Sequence, residues 1–270
     1  MNAMDGRAAD LTEESSRALG AARQAMSDAA DVARRIDGLL RQCEDDLGGL
    51  AAEAPKLRDV EAHETEAAAE EARPHLRTAA LYADQVDERL RRGQGDLEEL
   101  GDHLARARQA LTAGQRATYE LDQLQLPHGV ATDEVRARLH NLRGAVQDAG
   151  ENLDVTGRRI AAARRALEPV IYSSMNADPR AAANQIRGAG EAVDGDMVAA
   201  RRELAESRDG LDGAAAGALG AAQYTGEQAA AMRAAMNPTP ASAMRAPAAS
   251  SETELRHRIN GPATDQNRDR

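Results

Sequence analysis

The sequence predicts an all-α protein: an elongated antiparallel helical bundle or coiled coil of about four long helices, followed by a disordered C-terminal tail. Three observations predict it. Between Leu76 and Leu121 apolar or small residues return at alternating steps of three and four: Leu76, Ala79, Ala83, Val86, Leu90, Gly93, then Leu97, Leu100, Leu104, Ala107, Leu111 and Gly114, with a lapse at Thr118. A 3.5-residue period held for about six heptads calls for a long helix whose narrow seam lies along other helices. The chain has no Phe, no Trp and four Tyr, so the side chains that fill a thick globular core are missing. Ala and Leu, both strong helix formers, take their place. No strand pattern interrupts them.

Residues 1–9 are read as a flexible N-terminus, and Asp10 with Glu13 has the spacing of an N-cap and its reciprocal partner. A first helix over about 10–54 carries three adjacent heptad columns, which include Leu11, Ala25 and Leu39; Ala22, Ile36 and Cys43; and Leu19, Met26 and Leu40. A face that wide touches more than one neighbour, as in a bundle. Gly48, Gly49 and Pro55 weaken its end.

Residues 55–73 contain Glu61, Glu64, Glu66, Glu70 and Glu71 with little to bury, and read as an exposed acidic helical connector. His63 and His75 lie near these carboxylates, but the paired Glu-x-x-His motifs of carboxylate-bridged metal proteins are absent. The second helix, about 74–125, opens on Pro74, a favoured first-turn residue. Leu126-Pro127-His128-Gly129 breaks it, and Thr132, Asp133 and Glu134 restart helix with a cap and an acidic first turn. So short a loop forces an antiparallel hairpin with the third helix, about 132–168, whose seam runs from Val135, Leu139, Leu142 and Val146 to Ile160, Ala163 and Leu167.

Pro169 stops or kinks that helix. Val170, Ile171, Tyr172 and Met175 follow as the most hydrophobic local cluster, read as a plug for the bundle end and otherwise as a contact patch. Asp178 caps the fourth helix, about 179–236, with Pro179 at its first position. Its many glycines make it lean on its neighbours or fray. Residues 10–236 thus form the bundle. Residues 237–270, rich in Pro, Ala and Ser, cannot offset their ordering entropy and read as a disordered tail. A short helical turn there would put Leu255 and Ile259 on one face, a second candidate contact.

The formal net charge is -11, which opposes general nucleic-acid binding. Lys56 is the single lysine. Arginine suits multidentate contacts to carboxylates on neighbouring helices, although compositional bias gives the same count. Cys43 has no partner for an internal disulfide and falls on the apolar stripe of the first helix, where it reads as a small buried hydrophobe. No secretory signal opens the sequence, and no apolar run approaches the roughly 20 residues a membrane span needs. Cytoplasmic placement without membrane association is expected.

No phosphate loop, zinc motif, Cys-x-x-Cys pair or nucleophile elbow is present, so no catalytic, metal or cofactor-binding residue is assigned and no cofactor is expected. His103, His140 and acidic pairs such as Asp45-Asp46 read as solvated. These observations lead to a non-enzymatic scaffold, adaptor or assembly subunit that binds a protein partner or a second copy of itself through helix–helix contacts. The candidate contact residues are Val170, Ile171, Tyr172, Met175, Leu255 and Ile259.

An Ala-rich, acidic, hairpin-based chain also resembles in architecture the WXG100 and related type VII secretion families. That resemblance implies an exported protein, or a chaperone-like partner of such a system, secreted without a cleaved signal. It extends to architecture alone. There is no Trp for the Trp-x-Gly turn, and the Tyr-x-x-x-Asp/Glu signal fails at every tyrosine, since Val86, Gln123, Asn176 and Gln228 stand four residues after Tyr82, Tyr119, Tyr172 and Tyr224.

Overall fold

A computed structural model describes residues 3–59, 66–124, 132–172 and 178–236. They form four helices and, among the described residues, no strand: α1 (Ala3–Asp59), α2 (Glu66–Gln123), α3 (Thr132–Ile171) and α4 (Pro179–Met236). At 1.5 Å per residue the 57- and 58-residue helices are ~87 Å long. Each helix runs antiparallel to the next, and α4 closes the ring by packing antiparallel along α1. Contacts between Cys43 and Val86, Arg164 and Asp87, Arg159 and Asp196, and Ser16 and Ala222 fix the four registers.

The heptad columns form one continuous buried seam, from Leu19, Met26 and Ile36 on α1 through Val86, Leu90 and Leu104 on α2 to Leu139 and Leu204 on α3 and α4. Small residues let the backbones approach. A Cβ at Gly114 would sit 3.4 Å from Leu139 and 3.5 Å from Ala18, so glycine here is part of the seam. The α2–α3 hairpin packs as its heptad register requires. The Asp178 carboxylate accepts from the Ala181 amide at 3.0 Å, capping α4 ahead of Pro179.

The helix ends differ from the sequence reading. α1 begins at Ala3, with Asp10 inside it, because Ala8 and Leu11 bury against Ala117 and Leu121 and extend the apolar stripe past the capping signal. Pro55 lies within α1, which continues to Asp59. α2 begins at Glu66, so Pro74 falls inside it. The expected exposed connector is instead divided between two helix ends whose Leu57 and Ala72 are buried in the seam; residues 60–65 lie outside the described residues. α3 passes Pro169 and closes with the Tyr172 amide donating to the Glu168 carbonyl at 3.0 Å. Of the expected flexible residues 1–9, residues 3–9 belong to α1, while residues 1 and 2, and the expected tail at 237–270, also lie outside the described residues.

Three polar positions differ as well. Thr118 is buried and meets Ser15 at 3.4 Å while donating to the Gly114 carbonyl at 2.8 Å. With Thr12 and Thr225, both buried, it makes a hydroxyl layer across α1, α2 and α4. His103 is only 9 % exposed, between Asp28 and Glu99 at 3.6 and 3.8 Å. Asp46 is turned inward to the Arg89 guanidinium.

The Tyr82 ring of α2 lies against Gly49 of α1, so close that a Cβ there would meet ring carbons at 2.5 to 2.9 Å. A Cβ at Gly190 of α4 meets nothing within 4 Å. Gly49→Ala is therefore expected to destabilise by about 1–3 kcal/mol through overpacking. Gly190→Ala is expected to stabilise by about 0.5–1 kcal/mol through helix propensity. Urea unfolding followed by far-UV circular dichroism measures both, and a loss of stability in both variants would refute the packing described for these two glycines.

Candidate functional site

The stripes that make the bundle also leave a concavity among the described residues. Where the C-terminal part of α1 lies along the N-terminal part of α4, small residues hold the walls low: Gly48, Ala51 and Ala54 on one side, Ala183 and Gly190 on the other. The result is an open groove of about 520 Å³. Leu47 and Ile186 give it an apolar floor. On α1 the groove residues recur at three- and four-residue steps from Glu44 to Arg58; on α4 they recur likewise from Ala183 to Asp194. One more helical step along α4 reaches Val198, which is 56 % exposed.

Charged residues rim this trough. Glu44 accepts from Arg201, which also holds Asp37 at 2.9 Å. Arg187 donates to Asn184 at 3.3 Å. Arg58, Glu191 and Asp194 have no hydrogen-bonding or ionic partner among the described residues. The groove is open and flanked by charged residues of both helices, a combination that suits a helix.

A second concavity lies on α3, where Arg158, Arg159 and Arg165 surround Val155 and Ala162. Arg159 is bound to Asp196 at 3.0 Å and Arg165 to the carbonyl of Ala161 at 3.2 Å. This strip is locally basic on a strongly acidic chain.

The predicted contact residues are only partly brought together. Val170 is buried and Ile171 packs against the seam, whereas Tyr172 is 82 % exposed. Met175, Leu255 and Ile259 lie outside the described residues. The α1–α4 groove escaped the sequence reading because its two walls are some 140 residues apart in the chain. Its available signal was the pairing of Gly48 with the glycine-rich start of α4.

Among the described residues no group of three or more His, Cys, Asp or Glu is placed to hold a metal ion. His75 instead pairs with Glu53 at 2.8 Å, and His63 lies outside the described residues. No described helix is long and apolar enough to cross a membrane. No protein-family profile, curated protein or solved structure matches this chain.

Two ionisable groups have shifted equilibria. Burial pushes the Cys43 thiol up to about 11, with the nearby Arg89 charge opposing it. Thiolate is the reactive form, so Cys43 should react with a disulfide reagent at pH 8 only as the bundle opens, with a rate that rises with urea. Fast labelling of the folded protein would contradict its buried position.

Glu53 is 4 % exposed. Burial alone would raise its carboxyl, but hydrogen bonds from Lys56 and His75, with their charges, outweigh burial and leave it below the ordinary value. A lowered folded value means the contribution to stability is complete above the unfolded value of about 4.3 and disappears as pH falls through the folded one. Melting temperature should therefore drop more steeply on acidification below pH ~4.3 for the parent than for Glu53→Gln, and equal slopes would dismiss this cluster as a pH-dependent clamp.

Proposed function

We propose that this protein is a non-enzymatic helical scaffold or adaptor that works by seating helices of protein partners on its flanks. The observation that carries the reading is the α1–α4 groove: about 520 Å³, open, floored by aliphatic side chains and rimmed by charges of which Arg58, Glu191 and Asp194 have no partner among the described residues. A reaction site needs polar groups converging on a partly dry pocket, whereas here small side chains line a trough. Apolar floor and charged rim are the two parts of a helix-in-groove interface, the first supplying contact area and the second orientation.

The arginine strip on α3 supports the same reading, since it offers an acidic partner a place on a chain whose net charge is -11. Exposed Tyr172 adds an aromatic of the kind that anchors interfaces.

Gly190→Trp fills the groove from a position where a Cβ has open space, so the bundle should keep its melting temperature. Affinity capture with the full chain is expected to retain defined protein partners, and Gly190→Trp to lower their recovery by roughly tenfold, a loss of ~1.4 kcal/mol in binding. Undiminished recovery would remove the groove from the reading. Light scattering that finds a compact monomer unchanged by any partner would remove the adaptor role.

A further inference from the structure

The charges on the rim of the α1–α4 groove are sorted by sign along its length. Ser16 against Ala222, Arg201 against Asp37 and Arg34 against Asp212 set the register of α1 on α4. Continued along the two helices, that register brings Arg58 level with Arg187, and Glu44 level with Asp194, to within a turn. The end of the groove nearer the α1 C-terminus is therefore basic on both sides. The end nearer the middle of the bundle is acidic on both sides, with Glu191 one turn from Asp194. Arg58, Glu191 and Asp194 lack partners among the described residues, Arg187 holds only Asn184, and Glu44 is bound to Arg201. From Arg187 to Asp194 is about 10 Å of helix.

One stretch of the sequence complements this pattern. Residues 252–259 read Glu-Thr-Glu-Leu-Arg-His-Arg-Ile. Ser251 and Glu254 have the spacing of a capping box, and Asn260-Gly261-Pro262 follow as a stop signal, so the sequence predicts two turns of helix about 10 Å long. At helical spacing Leu255 and Ile259 share one face, with Thr253 and His257 behind them. Glu252 and Arg256 flank the apolar pair on one side, Glu254 and Arg258 on the other. Each flank thus runs from acid to base, and each rim of the groove runs from base to acid. Because the two flanks carry the same order, the match holds whichever flank meets α1.

We propose that residues 252–259 of a second copy of the chain occupy the groove. The segment lies parallel to α4, with the partner's Leu255 and the partner's Ile259 over the floor of Leu47 and Ile186. The partner's Glu252 and the partner's Glu254 then stand at Arg58 and Arg187, and the partner's Arg256 and the partner's Arg258 at Glu44, Glu191 and Asp194. A copy's own segment does not reach. Glu252 has to stand level with Arg187, which lies about 74 Å along α4 from Met236. The chain from Met236 to Glu252 spans at most about 58 Å when fully extended. Each copy offers one segment and one groove at separate places, so the contact is heterologous and copies add head to tail. Two turns of helix bury little area, which places the association in the weak class of interfaces.

This inference rests on the groove of the proposed function and names its occupant, and the test separates the two. Sedimentation equilibrium of the full chain from about 5 to about 500 µM should show an average mass that rises past the dimer without a fixed end point, in the micromolar range or weaker. Reversing the segment (E252R, E254R, R256E and R258E) or the rim (R58E, R187E, E191R and D194R) leaves the net charge unchanged, and each should weaken association roughly tenfold or more. A chain carrying both sets should recover most of it, with only Glu44 still facing a like charge. A short bis-maleimide should join I259C chains to A51C chains in a mixture, read as the linked peptides by mass spectrometry, and should not join I259C to A137C, exposed on α3. A chain that stays monomeric, reversed chains that associate like the parent, a combined chain that recovers nothing, or equal linking at residues 51 and 137 would overturn the proposal. So would linking of residues 259 and 51 within single I259C/A51C chains at high dilution. Other protein partners still captured by the segment-reversed chain leave the adaptor role standing when self-association fails; self-association without such partners leaves the reverse.

Discussion

Everything in this molecule depends on α1 being buried along two flanks at once. It packs against α2 through residues such as Cys43 and Leu50 and against α4 along a parallel column, and it therefore carries three apolar columns where a two-stranded zipper needs a narrower seam. With no Phe or Trp available, burial is spread thinly over a great length. The small side chains that allow close approach in the seam also leave the outer surface low wherever two of them meet. Gly48 and Gly190 line the groove from its two sides, so the groove is a by-product of the same economy of volume that closes the bundle.

Electrostatics directs the assembly of these rods. At least one arginine–carboxylate pair crosses each of the four interfaces, among them Arg35 to Asp96, Arg164 to Asp87, Arg159 to Asp196 and Arg201 to Asp37. Half-exposed pairs of this kind contribute about 0–1 kcal/mol each, too little to hold the bundle together, but unlike charges opposite one another exclude wrong registers. Against that background the edges of the α1–α4 groove stand out, because Arg58, Glu191 and Asp194 there have no ionic partner among the described residues.

The interior was legible in the sequence and the ends and polar exceptions were not. Val135 to Leu167 could be placed residue by residue because the heptad period alone determines which face is covered. Asp10 and Pro74 misled because capping and proline effects are local, worth about 1–3 kcal/mol, and burial of Ala8, Leu11 and Ala72 continues the helices past them. Thr118 looked like a break in the pattern because its partners, Ser15 and its own Gly114 carbonyl, are visible only once α1 and α2 are set side by side. His103 and Asp46 were misplaced for the same reason: neither histidine nor aspartate announces in sequence that it will turn inward. The groove needed the relative height of α1 and α4, which no periodicity within either helix encodes.

The scarcity of aromatic residues has an optical consequence. Without tryptophan, near-ultraviolet absorption and intrinsic emission come from four tyrosines alone, and they sit in contrasting settings: Tyr119 and Tyr172 in solvent, Tyr224 partly covered, Tyr82 wedged against Gly49. Chirality in the near-ultraviolet spectrum is therefore weighted toward the two packed rings. The molecule holds a built-in, label-free gauge of whether α1 and α2 are closed at the end that carries the groove.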